Sequence, residues 1–265
     1  MPPVSNQLAP GLLVASPPLG DPNFDRTVIL LAIHNEHGAL GFVINRLAPI
    51  QLGELLGLAG YGDNLAGIRG AVYVGGPVEP SSGWVLGSRE ALGLSIVPAR
   101  DTNPDGPASN EEKSSEPAGS SAGTPPCTPG SSTTARAASV AAGKGGAGAV
   151  VKEAVADDGE GIITVGEDLV VTSSRKVFDE IAQRGKDCDK NEQSADQARR
   201  LVILGYSGWG PGQLEGEIAR GAWLPLPVDE RILFATDPDA RWERMFEMLG
   251  VTTLGAASMR TIGSA

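Results

Sequence analysis

Residues 201–223 read LVILGYSGWGPGQLEGEIARGAW: a short aliphatic run, a glycine- and tryptophan-rich loop, then a helix-type segment. The run at 201–204 is apolar on both faces and of strand length, so it predicts a strand covered on each side. Pro211 suits the first turn of a helix over 212–220, and Gly221 suits its end. A strand that feeds a helix through such a loop can gather backbone N–H groups around a small anion. It can equally form a tight turn that packs Trp209 and Trp223. Both readings demand a sheet with helices laid against it.

The rest of the chain divides by composition. From Asp101 to Asp158 there is no Leu, Ile, Met, Phe, Tyr or Trp. Such a segment buries too little apolar surface to offset its ordering entropy, and 101–158 is read as a disordered, low-complexity insertion. Its placement between strands suits an exposed loop, since closure entropy grows slowly with length. The parts expected to fold, about 6–100 and 159–255, are the size of a single domain.

The formal charge is −11 in 265 residues. The insertion carries eight acidic and four basic residues, so the remainder is acidic in its own right. A surface of this sign repels phosphate backbones, and the basic clusters Arg184/Lys186 and Arg199-Arg200 are short; direct nucleic-acid binding is not expected. No apolar run is long enough for a membrane span. The first residues, MPPVSNQ, lack the features of a signal peptide. Two cysteines, Cys127 and Cys188, make no disulfide framework. A reduced, cytoplasmic protein is the expectation.

The front half reads as hairpins with one helix. Residues 27–33 form a continuous apolar strand, 34–38 a turn and 41–45 the returning strand. A helix is expected over 51–58. Residues 71–74 and 83–86 are strands flanking the loop 75–82, and a further strand is expected at 94–97. In the back half, strands are expected at 161–165, 168–171, 201–204 and 231–234. A helix capped by Ser173 or Ser174 should stop near Gly185, with polar loop over 186–197. Asp237-Pro238 opens a last helix over 239–249, closed by Gly250. With no regular βαβ repeat, the fold class is α+β: a single domain with a large mixed, mostly antiparallel sheet flanked by helices.

Three features invite chemistry. Gly205-Tyr-Ser-Gly-Trp209 approaches a nucleophile elbow, but the second glycine of that pattern is replaced by Trp209. His34 and His37, the only histidines, share one turn, so a base for Ser207 would have to be one of them. The alternative is a structural turn in which Ser207 bonds backbone. His34 and His37 with Glu36 offer too few convergent ligands for a metal. In the plainer reading His34 bonds backbone across the hairpin and His37 is solvated. The backbone-rich loops at Gly75-Gly76 and Gly208–Gly212 can line one ligand cleft at strand ends. Neither is a phosphate-binding Walker motif, because no Gly-Lys-Ser/Thr follows. Otherwise their glycines permit positive φ and close packing. The four tryptophans, Trp84, Trp209, Trp223 and Trp242, are expected to be core or loop anchors.

Several ordered pieces are similar to one family. They are Leu12 to Pro17 with Asp21 to Phe24; His34-Asn35 with Gly38 to Gly41 and Asn45; Gly75-Gly-Pro-Val78; Val171 to Ser174; Leu204 to Glu215 with Ala222 to Leu224; and Ile232 to Phe234 with Arg241-Trp242. Together the chain resembles the AlgH/YqgE family of uncharacterised bacterial proteins. The resemblance implies one α+β domain around a large mixed sheet, and it carries over no catalytic residue. Some members bear a transcriptional-regulator designation, which the acidic charge here does not favour. Two departures stand out: Gly87 replaces a His often found in the family, and the insertion is not a family feature.

The expected function is therefore a non-enzymatic binding or regulatory protein for a small ligand or protein partner, with homo-oligomerisation left open. Its ligand-binding candidates are His34, Asn35, Asn45, Gly75, Gly76, Gly205, Ser207, Trp209 and Gln213. No cofactor, metal or catalytic residue is assigned. A hydrolase using Ser207 or a His34-centred site is the competing reading.

Overall fold

The structure, a computed structural model, describes residues 8–17, 21–63, 65, 67–94, 161–187 and 199–250. The insertion read at 101–158 lies outside them, as does the strand expected at 94–97 apart from Leu94. Most of the expected loop at 186–197 does too.

The aliphatic runs become strands. β1 (Gly11–Ala15), β2 (Val28–Asn35) and β3 (Gly38–Val43) form an antiparallel meander. β1 and β3 are buried throughout, and β2 until its last three residues. The Leu31/Ile33 bulge in β2 shifts the register near its end. β4 (Leu47–Gln51) leads into α1 (Leu52–Leu58). β5 (Ala71–Val74) and β6 (Val78–Ser88) follow. The next described elements are β7 (Ile162–Thr164), β8 (Leu169–Thr172) and α2 (Arg175–Asp187). The last part holds β9 (Arg200–Trp209), α3 (Gln213–Ala219), β10 (Trp223–Leu226) and α4 (Arg241–Met248).

Among the described residues there is one ten-stranded sheet, ordered β10-β1-β2-β3-β9-β6-β8-β7, with β5 alongside β9 and β4 beyond β5. Every pairing is antiparallel except β5 with β9. The mixed, mostly antiparallel α+β sheet is thus the one expected.

β9 organises it. Residues 202–204 pair with β5, whereas 207–209 pair with β3. Gly205 stands at the changeover with φ 69. Leu201, Ile203 and Tyr206 all enter one core cluster. The odd step from 203 to 206 means that the strand's face alternation resets at Gly205, the behaviour of a bulge. Three apolar clusters result. One lies beneath α4, with Leu12, Leu30, Phe42 and Ile203; a second beneath α1 and α2, with Val72, Val170 and Val202; a third beneath α3, with Leu13, Ile29 and Trp209. All four tryptophans are buried, as expected of anchors.

One expected element is different. Residues 231–234 were expected as a strand, but Arg231–Ala235 is a π-helical turn. The Asp229 carbonyl accepts from the amides of Ile232 and Leu233, and its carboxylate accepts from that of Arg231. An acidic turn-former ahead of three apolar residues starts a helical turn, and three residues show no period to reveal it. The strand β10 and the short β4 carry no alternation the eye would select. The Asp237-Pro238 pair opens a single 3-10 turn, Pro238–Ala240, with Asp237 Oδ1 accepting from the Asp239 amide; α4 follows it.

Candidate functional site

The corner around Gly205 draws several candidate residues together. Gly75 donates its amide to the Leu204 carbonyl, and its own carbonyl accepts from the Val43 amide. Gly75 is therefore where β5 hands the edge of β9 to β3. Ser207 Oγ donates to the same Gly75 carbonyl at 3.1 Å, and Ser207 is 0 % exposed. Gly76, at φ 154, lies directly on the Tyr206 carbonyl and Ser207 Oγ, so a Cβ there would overlap both. A Cβ on Gly205 would sit 2.9 Å from the carbonyls of both Gly76 and Val78. The Gly75-Gly76 loop therefore meets β9 at residues 204–207, with backbone filling the space between, while the backbone of Trp209 and Gly210 lies against Gly38.

His34 lies elsewhere on the sheet. Ala39 is the cross-strand partner of both His34 and Trp209. The His34 and Trp209 backbones are thus two strand spacings, roughly 10 Å, apart. Ser207 is two residues further along β9. The imidazole, whose side chain is 8 % exposed, contacts Glu215 Oε1 through Nε2 at 3.0 Å and accepts at Nδ1 from the Leu8 amide at 3.4 Å. An accepting Nδ1 leaves Nε2 as the N–H that donates to Glu215. His34 therefore ties the segment before β1 to α3, rather than bonding backbone across its own hairpin. His37 is half-exposed beside Glu36, 3.7 Å away.

The other candidates also have internal tasks. Asn45 Oδ1 accepts from the Val28 amide and its Nδ2 donates to the Arg26 carbonyl, both at 2.8 Å. Asn35 Oδ1 accepts from the His37 amide and shapes the hairpin turn. Gln213 accepts from the Gly210 amide and donates to Glu217 Oε1. The other Glu217 oxygen accepts from two indoles, Trp209 Nε1 at 2.9 Å and Trp223 Nε1 at 2.8 Å. Phe24 stacks on Trp209 and meets Trp223 edge-on. At Gly87, Leu92 fills the space a larger side chain would need, 3.1 Å from the Cβ position.

A cavity opens at the opposite end of β9. Its volume is about 190 Å³, and its lining includes Arg69, Tyr73, Arg200, Phe234 and Arg241. Arg241 is 2 % exposed. Its guanidinium donates to the carbonyls of Leu233 (2.8 Å), Thr236 (3.1 Å) and Ile44 and to the Tyr73 hydroxyl (3.5 Å), and it lies over the Tyr73 ring. Burial lowers its pKa against the smaller opposing effects of Tyr73 and Asp237. These arginines were missed as site residues. Arg199-Arg200 is visible as a small basic cluster and Arg241 as part of a family piece, but only the sheet joins them to Arg69.

Among the described residues no group of three His, Cys, Asp or Glu side chains is placed to hold a metal. No described helix is long and apolar enough to cross a membrane.

A single curled sheet, its central strand turned at a glycine corner and capped by two indoles on one carboxylate, defines the class of α+β protein to which the chain belongs. The particular family is AlgH-like: the chain belongs to it, with the family model matching residues 12–112 and 144–254. Similar proteins include a UPF0301 protein of Anaeromyxobacter sp. (strain K), 30 % identical with 94 % of this chain and 91 % of that protein covered. A UPF0301 protein of Myxococcus xanthus is 31 % identical, with 92 % of each covered. The solution structure of the AlgH protein from Pseudomonas aeruginosa matches with a TM-score of 0.54 at 25 % identity, covering 98 % of this chain and 96 % of that one.

Proposed function

We propose that this AlgH-like protein is a non-catalytic binding protein, and that its ligand is a small molecule taken up at the cavity between the start of β5, the start of β9 and the π-helical turn. The observation that carries the reading is that cavity, in which the buried Arg241 guanidinium is fixed by hydrogen bonds to Leu233, Thr236, Ile44 and Tyr73. A recess with a few fixed polar side chains is the ordinary form of a small-ligand site. The state of Ser207 supports the non-catalytic half. Its hydroxyl is buried and committed to the Gly75 carbonyl, and the His34 imidazole is committed to Glu215 and Leu8. A nucleophile needs its base within hydrogen-bond reach and a path to substrate. The acidic charge supports a small ligand over nucleic acid, and a cytoplasmic location fits two cysteines without a framework.

Thermal-shift screening against metabolite pools tests this. Ligand at a hundred times its Kd stabilises by about 2.7 kcal/mol, which raises Tm by several degrees in a domain of this size. The expected result is a pool that raises Tm in wild type and in Ser207→Ala alike, with neither protein hydrolysing aryl esters. Ester turnover lost in Ser207→Ala would establish the hydrolase reading instead.

A further inference from the structure

The His34 imidazole joins two pieces of the fold through opposite chemistry at its two nitrogens. Nδ1 accepts from the Leu8 amide at 3.4 Å, and Nε2 meets Glu215 Oε1 at 3.0 Å. Only the neutral ring can do both, because Nδ1 must keep a free lone pair while Nε2 carries the N–H. A second proton would go to Nδ1. That nitrogen then becomes a donor facing the N–H of Leu8, and the bond turns into a clash of two donors. The Nε2–H to Glu215 contact becomes an ion pair and tightens. Leu8 has no easy way to pair again by offering its carbonyl. That carbonyl is packed against Gly11, where a Cβ would sit 2.5 Å from its oxygen.

The charged surroundings of the ring are simple among the described residues. Glu215 faces it from α3. β3 brings Gly38 and Ala39, and the segment before β1 brings Leu8 and Ala9, none of them titratable. On its own turn, Glu36 and His37 lie 3.7 Å from each other. Leu8 and Ala9 pack against the third apolar cluster, the one beneath α3 that holds Trp209 and Trp223. We infer that His34 is a pH-sensitive latch: the neutral ring holds the segment before β1 on that cluster, and the protonated ring releases it while keeping α3. Acid thus uncovers apolar surface at one defined edge and leaves the sheet intact. Histidine suits the task because imidazole ordinarily changes charge between about pH 5 and 8. The latch is independent of the cavity and of any ligand bound there.

Two NMR measurements on the full chain, followed between about pH 8 and 5, test it. Long-range proton–nitrogen spectra report which ring nitrogens carry protons. Solvent exchange, corrected for its intrinsic pH dependence, reports protection of the Leu8 amide. At the alkaline end His34 should carry its proton on Nε2 alone. As Nδ1 gains a proton, Leu8 should lose about tenfold in protection, the loss of one hydrogen bond. The amides of α3 should keep theirs. His37→Gln should leave the transition in place, and so should Glu215→Gln, whose carbonyl can still accept from Nε2–H. His34→Gln should remove the pH-linked change at Leu8; the coincidence of the two titrations in wild type decides the matter even if that variant fails to fold. Constant Leu8 protection while Nδ1 titrates would overturn the latch, as would a ring that stays neutral to the acid end. Loss of α3 protection together with Leu8 would show general acid loosening instead. A Leu8 transition that survives in His34→Gln, or vanishes in His37→Gln, would also sink it.

Discussion

One carboxylate oxygen of Glu217 accepts from the indole N–H groups of Trp209 and Trp223, both of them buried. Each indole has a single donor and no other way to satisfy it. Glu217→Ala strands both donors in an apolar setting, at a cost of about 3 kcal/mol. Glu217→Gln keeps a carbonyl oxygen with two lone pairs in the same place, so its cost should be nearer 1 kcal/mol. Urea unfolding followed by tryptophan fluorescence separates the two variants; equal losses would show that the negative charge, not the shared acceptor, holds the pair. The sequence made the tryptophans legible as anchors, because large aromatic residues beside glycine have few other uses. It did not reveal Glu217, since a glutamate on a short helix reads as a solvated charge until its partners are placed. The same holds for Arg241, whose acceptors come from Ile44, Tyr73, Leu233 and Thr236, distant pieces of the chain.

At the scale of elements, β9 is one strand in two registers. Before Gly205 it runs beside β5, and after it beside β3. The left-handed φ of Gly205 resets its faces. Gly205→Ala places a Cβ on two carbonyl oxygens at 2.9 Å and forces an unfavourable φ. A loss of about 3 kcal/mol is expected, read from the denaturant midpoint with the slope unchanged. Hydrogen exchange should show the Gly75 and Val43 amides, which bond across the changeover, losing protection more than those of β8. Uniform loss of protection would argue that the corner is not a separate structural joint. Strand-length aliphatic runs such as 28–33 and 201–204 were readable because their composition is sufficient. The handover at Gly205 was not, since it depends on which strands flank β9. The π-helical turn at 231–235 was misread as strand because an apolar triplet has no period.

For the molecule as a whole, alkaline pH gives a test of how firmly the sheet encloses its polar groups. Tyr206 is 1 % exposed, and its hydroxyl lies 3.4 Å from Glu79 Oε1. Burial first, then the Glu79 charge and the hydrogen bond to it, push its pKa up to about 12 from an ordinary 10.0. The folded protein therefore holds this proton where the unfolded chain has released it. Stability from this source is whole below pH 10 and declines as pH rises from 10 toward 12, because the unfolded state binds fewer protons there. Tyr206→Phe cannot release a proton and removes only this part of the pH dependence. Urea midpoints measured from pH 9 to 12 should fall more steeply in wild type than in Tyr206→Phe, with the curves converging at the alkaline end. Tyrosinate absorbance near 295 nm should show one late-ionising group that the variant lacks. Parallel curves across that range would mean that the hydroxyl reaches water, and that the β6–β9 seam is more open than its packing indicates.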